Sequence, residues 1–261
     1  MGTWLVPIRV LSLCTIRLLF CVEKQFFDYM GTRMAYRRRE GKYPLILIHG
    51  FTASSEIWEP LVDKLDDRFD LIMVDLFGHG DSEMPPIKAN GADVHTIISY
   101  QASAISELIQ SLGFSDFGII GSSLGGWVSM ELAVRHKRPS GLVLIDTAGV
   151  VSLDEPDFRN GLSLLVQLYN EQENKLTPFL NKLLEKGENS STMMSADLLD
   201  NADFRVSVIW GTEDPVLRVN YGKEFSARLK NSSFTEIYNA GHTPFTTSPQ
   251  EVAEIVNSFF G

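Results

Sequence analysis

Cysteine is nearly missing from this 261-residue chain: only Cys14 and Cys21 occur, and none follows them. A disulfide framework and a cysteine-ligated zinc site are therefore excluded from the body of the protein. Basic residues are also in deficit, 23 Lys and Arg against 33 Asp and Glu, for a formal net charge of −10. Nucleic acid fits that balance poorly, because phosphate backbones are bound through a Lys/Arg excess. The charge is uneven, however. Residues 1–50 hold 8 Lys/Arg and 3 Asp/Glu, which leaves a basic head on an acidic body. Long hydrophobic runs are missing too. Residues 4–22 resemble a signal or membrane segment, but Pro7, Arg9 and Arg17 interrupt them, and the charge-free piece after Arg9 is the seven residues Val10–Ile16. A spanning helix needs about 20 apolar residues, and a signal h-region follows its charges rather than containing them. Stable membrane insertion is not expected. The segment reads as a non-catalytic extension of a cytoplasmic protein, with peripheral membrane association through residues 1–22 as the alternative.

What remains is ordinary for a globule, 44% hydrophobic and 21% charged, and long enough to build a core without staples. From about residue 26, short apolar runs alternate with helical periodicity. Pro44–Ile48, Asp70–Val74, Phe117–Ile120, Leu142–Ile145 and Val206–Trp210 read as buried strands, each followed by Gly or Asp or by a turn that contains them. Val94–Leu112 carries apolar residues at three- and four-residue spacings, with Asp93 as N-cap and Gly113 at its end. Ser248-Pro249-Gln250-Glu251 reads as a capping box opening the last helix. Alternation of this kind predicts a parallel sheet covered on both faces, with the active site beyond the carboxyl ends of the strands. Between Asp146 and Val206 no strand signal occurs. Phe158, Leu162, Leu165 and Tyr169, then Leu176, Phe179, Leu180, Leu183 and Leu184, predict helices there that form a lid.

Gly121-Ser122-Ser123-Leu124-Gly125-Gly126 lies between a predicted strand and a predicted helix. G-x-S-x-G alone has roughly a one-in-ten chance of arising at random in such a chain. At a strand-to-helix turn it is far more specific, because glycines on both sides permit a sharp, strained bend that projects one side chain at the positive end of the helix dipole. Only Ser123 has glycine at both −2 and +2. A serine hydroxyl needs a base, and the base an orienting acid. His95 and His136 fall in helices and are read as facing solvent or capping a terminus; His49 and His79 organise loops. His242, in the loop before the final helix, is the base candidate, since the chain order Ser…acid…His puts the base last and His242 is the last histidine. Asp214, in Thr212-Glu213-Asp214-Pro215-Val216, is that acid, with Asp146 as its rival. Glu213 points elsewhere, and Asp75 and Asp81 pin the Leu76–Ser82 loop. The backbone N–H groups of Leu124 and Phe51 are the oxyanion donors.

His49-Gly50-Phe51, the Asp75–Ser82 stretch DLFGHGDS, GSSLGG, GTEDPV and GHTPF, in that order, resemble the α/β-hydrolase fold family from about residue 26 to 261. The resemblance implies a mostly parallel eight-stranded sheet with helices on both faces and a helical lid inserted after strand six. It divides the chain into a 1–25 extension, a core of 26–150 and 204–261, and a 151–203 cap. It also implies Ser123 as nucleophile, Asp214 as acid and His242 as base. Serine at the elbow speaks against the epoxide hydrolase and haloalkane dehalogenase branches, and HGF departs from the HGGG turn of one lipase group.

The expected activity is hydrolysis of carboxylic esters of short to medium acyl chain, without metal or organic cofactor. Phe51, Leu162, Leu165, Tyr169 and Val216 are expected to line the substrate pocket, in a monomer or homodimer whose partner is a small-molecule ester. Competing readings on the same triad are a carbon–carbon bond hydrolase, a lactonase, a thioesterase or a proline iminopeptidase. The last would use Asp154, Glu155 and Asp157 to hold an amine, although a solvated acidic face is the preferred reading of those residues. From another class, the fold also serves small-molecule receptors with slow triads. Removing residues 1–22 is expected to leave ester turnover largely intact. Loss of soluble, active protein on truncation would show instead that the head packs on the body.

Overall fold

The computed structural model describes residues 24–84, 94–152, 155–170 and 193–261. Residues 1–23 with both cysteines, Asp93, Asp154 and the leucine-rich stretch at 176–184 lie outside them, as do the side chains of Leu165 and Tyr169. Eight strands form one sheet: β1 (Lys24–Tyr29), β2 (Thr32–Arg39), β3 (Tyr43–Ile48), β4 (Phe69–Val74), β5 (Gly118–Ser122), β6 (Gly141–Ile145), β7 (Val206–Gly211) and β8 (Ser232–Ile237). Their order is β1-β2-β4-β3-β5-β6-β7-β8. The first two join antiparallel, and every pairing from β4 onward is parallel.

The described helices are α1 (Glu59–Val62), α2 (Val94–Ser111), α3 (Leu124–Glu131), α4 (Pro156–Asn170), α5 (Ala196–Asp200), α6 (Val219–Arg228), α7 (Pro244–Thr247) and α8 (Pro249–Phe259). Strand side chains alternate between two faces, and both faces are covered. Ile46, Ile48, Ile72 and Val74 join Ile98, Ile105 and Ile109 of α2 in one core. Leu45, Leu47, Leu71 and Met73 join Leu61 of α1 and Val252 and Val256 of α8 in the other. This two-faced burial is why β3 and β4 read as unbroken apolar runs. No helix among the described residues is long and apolar enough to cross a membrane.

Helix ends follow the expectations in one case and depart in another. Gly113 closes α2: its N–H and that of Phe114 return to the carbonyls of Gln110 and Ile109 at 3.0 and 3.2 Å. The capping box at Ser248 does not form. Helix α7 runs almost directly into α8, the Ser248 N–H is spent on the Pro244 carbonyl (2.7 Å), and its side chain caps nothing. His95 lies in the first turn of α2, partly exposed, with its ring edge-on to Trp127 at 5.3 Å. His136 is exposed, at the end of a π-helical turn that extends α3 over Leu132–His136.

Loops at the strand ends are braced by buried polar groups. The His49 Nε2 accepts the Leu76 N–H (3.0 Å), so Nδ1 must carry the ring proton, which it donates to the Gly50 carbonyl at 2.7 Å. The His79 ring lies 5.2 Å from that of His49, and its Nδ1 is 3.3 Å from the Phe77 carbonyl. Asp75 accepts the Ser55 N–H at 2.6 Å and the Asp81 N–H at 3.0 Å, while Asp81 pairs with Lys24 of β1. Burial lowers the pKa of both histidines, and the neighbouring His49 lowers His79 further, to about 3.

Both histidines are therefore neutral in the folded protein where an unfolded chain, titrating near 6.5, takes up protons. The contribution of His79 is full above that value and falls as pH drops toward about 3, by ~1.4 kcal/mol per pH unit; His49 acts in the same direction. Urea unfolding between about pH 7.5 and pH 4.5 should show a shallower fall for His79→Gln than for the unsubstituted protein, by about one proton. Equal slopes would mean that His79 is not held neutral.

Candidate active site

Ser123 sits between β5 and α3 with φ 51° and ψ −120°, a left-handed conformation that costs a non-glycine residue about 1 kcal/mol or more. Four backbone hydrogen bonds hold it there. Its N–H donates to the Ile145 carbonyl (3.0 Å), and its own carbonyl accepts from Gly126 (3.0 Å), Ala148 (2.9 Å) and, more weakly, Trp127 (3.4 Å). The flanking glycines are required by contact distances. A Cβ on Gly121 would lie 2.2 Å from the Ser129 hydroxyl oxygen, and one on Gly125 would lie 2.1 Å from the Ile48 carbonyl oxygen. The elbow is thus wedged against β3 as well as bent.

The parallel register brings the sequence-predicted residues to one edge. The Ser123 Oγ lies 3.0 Å from His242 Nε2, and His242 Nδ1 lies 2.7 Å from Asp214 Oδ2. An ionised carboxylate is only an acceptor, so Nδ1 bears the imidazole proton and Nε2 is left to accept from the serine hydroxyl. The Asp214 side chain is fully buried, and its Oδ1 accepts the N–H groups of Val216 (2.7 Å) and Leu217 (2.9 Å). Those two amides fix the carboxylate plane, and they were not singled out in the sequence. The signal was present, because Asp followed by Pro in a turn commonly accepts from the next backbone N–H groups. His242 is anchored three residues on, where the Phe245 ring stacks on Trp58 at 4.4 Å.

Gly50 faces the elbow so closely that a Cβ there would lie 2.8 Å from the Ser123 Cβ. Phe51 comes next, its ring buried edge-on against His79 at 5.7 Å. Leu124 opens α3 on the other side of Ser123. Val216 is buried beside Asp214, and Leu162 of α4 packs on the core while remaining partly exposed. Helix α4 itself rests on the acid's turn: a Cβ on Gly161 would lie 2.8 Å from the Val216 Cα, and Asp157 pairs with Arg218 at 2.5 Å. Glu213 is exposed.

Asp146, the rival acid, does not touch the imidazole as Asp214 does. Its Oδ1 accepts the Gly211 N–H at 3.0 Å. One donor atom from each of Asp146, Asp214 and His242 lies within 4.8 Å of the others. Three N–H donors already occupy Asp214, so the cluster is built as a hydrogen-bond relay.

The sequence profile of the alpha/beta hydrolase family matches residues 45–255. The chain is 26% identical over 280 residues to an uncharacterized protein of Mycobacterium tuberculosis (strain ATCC 25618 / H37Rv), covering 90% of this chain and 80% of that one. It is 25% identical over 263 residues to Lipase 3 of Moraxella sp. (strain TA144), covering 88% and 81%. Among solved structures, the N-acyl homoserine lactonase AidH complexed with N-butanoyl homoserine superposes with a TM-score of 0.73 at 22% identity, over 92% of this chain and 96% of that one. The profile match spans most of the chain. The protein belongs to the alpha/beta hydrolase family.

Proposed function

We propose that this protein is a serine hydrolase that cleaves carboxylic esters through an acyl-enzyme. The observation that carries the reading is the unbroken hydrogen-bonded chain from Ser123 Oγ through His242 to the buried Asp214. Ser123 attacks the ester carbonyl carbon while His242 Nε2 takes the hydroxyl proton. Asp214 holds the imidazole in the tautomer that can accept, and stabilises the imidazolium once it forms. The N–H groups of Phe51 and Leu124 receive the negative charge that develops on the carbonyl oxygen. The tetrahedral intermediate collapses, and His242 returns the proton to the departing alcohol. Water, deprotonated by His242, then attacks the acyl-enzyme and frees the acid and Ser123.

Several details support the assignment. The contact of Gly50 with Ser123 leaves the following amide beside the elbow, and the His49 bond to the Gly50 carbonyl fixes that turn. Leu124 lies at the amino end of α3, where backbone N–H groups have no helical partner. The proteins this chain is similar to include, by name, a lipase and an N-acyl homoserine lactonase. Residues 151–203 serve as the lid in this reading. Leu162 and Val216 bound an apolar pocket for short to medium acyl chains.

Ser123→Ala is expected to lower kcat/KM on p-nitrophenyl butyrate by about 10,000-fold and to abolish labelling by a fluorophosphonate, with the fold retained by circular dichroism. Asp214→Asn should keep the fold and lose roughly 1,000-fold or more in kcat, because the amide no longer demands the Nδ1–H tautomer. Full turnover by Ser123→Ala would end the proposal.

A further inference from the structure

Behind Asp214 stands a second carboxyl that takes no part in the proton transfers between Ser123 and His242. Asp146 follows β6 with no exposed surface, in a left-handed conformation (φ 45°) that a non-glycine residue adopts only under constraint. Its N–H donates to the Ile209 carbonyl at 3.0 Å, and its Oδ1 accepts from Gly211 at 3.0 Å. The other oxygen, Oδ2, is buried and has no donor among the described residues. The titratable groups that face it are Asp214, from the turn after β7, and His242, from the loop after β8. Among the described residues no Lys or Arg pairs with either carboxyl; the one ion pair is His242 with Asp214.

Two ionised carboxylates this close, buried, and without a cation repel strongly, and such pairs resolve the conflict by keeping one proton. The proton belongs on Asp146 for a geometric reason. Asp214 already accepts three N–H groups, two on Oδ1 and one on Oδ2, all of which favour its charged form. Asp146 accepts one. Burial and then the Asp214 charge both push the Asp146 carboxyl well above the usual carboxylate range. A protonated Oδ2 needs no donor and becomes one itself, and the Asp214 carboxylate beside it is an acceptor.

We propose that Asp146 is a positioning residue: as a neutral carboxylic acid it donates a hydrogen bond to Asp214, and so fixes the orientation and tempers the charge of the group that holds His242. The consequence for rate rests on the esterase reading; the protonation of Asp146 does not. A donor on Asp214 draws part of its negative charge away from the imidazole, so the imidazolium is held firmly enough to form but not so firmly that it persists in the resting enzyme.

Asp146→Asn keeps a donor in place, and Asp146→Leu removes it at similar volume. With p-nitrophenyl butyrate, Asp146→Asn is expected to retain kcat/KM within about threefold and to leave the low-pH limb of its pH profile in place. Leucine leaves the full Asp214 charge on His242, so that limb should move to higher pH by roughly one unit, with kcat/KM reduced about tenfold or more at neutral pH. Infrared spectra at neutral pH should show a buried protonated-carboxyl band that both variants lack. A lowered Tm in Asp146→Leu with an unmoved limb would make Asp146 merely structural and overturn the proposal. Absence of the band from the unsubstituted protein would do the same, and that measurement stands even if Asp146→Leu does not fold. If the unsubstituted protein turned over no ester, the esterase reading would fall while the band still decided the state of Asp146.

Discussion

Ser123 and His242 lie 119 residues apart in the chain, and what joins them is the hydrogen-bonded register of five parallel strands. β3, β5, β6, β7 and β8 end on the same edge of the sheet, with pairs such as Gly121↔Leu144 and Ile145↔Ile209 setting how far each strand reaches. His49, Ser123, Asp146, Asp214 and His242 each come after one of those ends. A one-residue slip in any pairing would turn a strand's core-facing side chains to the other face and carry its loop out of reach of the rest. The two cores, one on each face, resist that slip. The stability of the sheet and the sub-ångström requirements of the site are the same constraint seen from two distances.

The parts of this arrangement that were legible in the sequence are those with a single physical reading. A short apolar run that stops at Gly or Asp, or at a turn containing them, has to be buried on both sides, and β3, β4, β6 and β7 were evident for that reason. The expected β5 starts one residue early and stops two short of the observed end, because Gly121-Ser122 looks like a turn until its pairing with Leu144 and Ile145 is seen. β1, β2 and β8 left no comparable signal. Thr32–Arg39 carries four arginines and Lys24–Tyr29 three polar residues, since these strands lie at the sheet's antiparallel side with much of their surface open. The Ser248 capping box failed for a related reason: the pattern of residue types was right, but a short helix upstream had already used the backbone donor.

The site shows the same division. Glycines at −2 and +2 picked out Ser123 because nothing else fits 2.1 Å from a carbonyl oxygen. Asp146 and Asp214 could be ranked as acids but not related to each other, because each simply comes after a strand. That they share one buried space is a fact of strand adjacency, β6 beside β7, which spacing along the chain does not express. The neutral state of His49 was hidden in the same way, since the Leu76 amide that fixes its tautomer comes from the end of another strand.

The contact between Gly161 and Val216 bears on how this protein can diverge. The segment after β6 crosses the turn of Asp214 with no clearance. A side chain at 161 would act as a strut against the backbone that presents two amides to Asp214. Position 161 can therefore change only together with the turn it touches, and a substitution that leaves that turn undisturbed has to fall elsewhere.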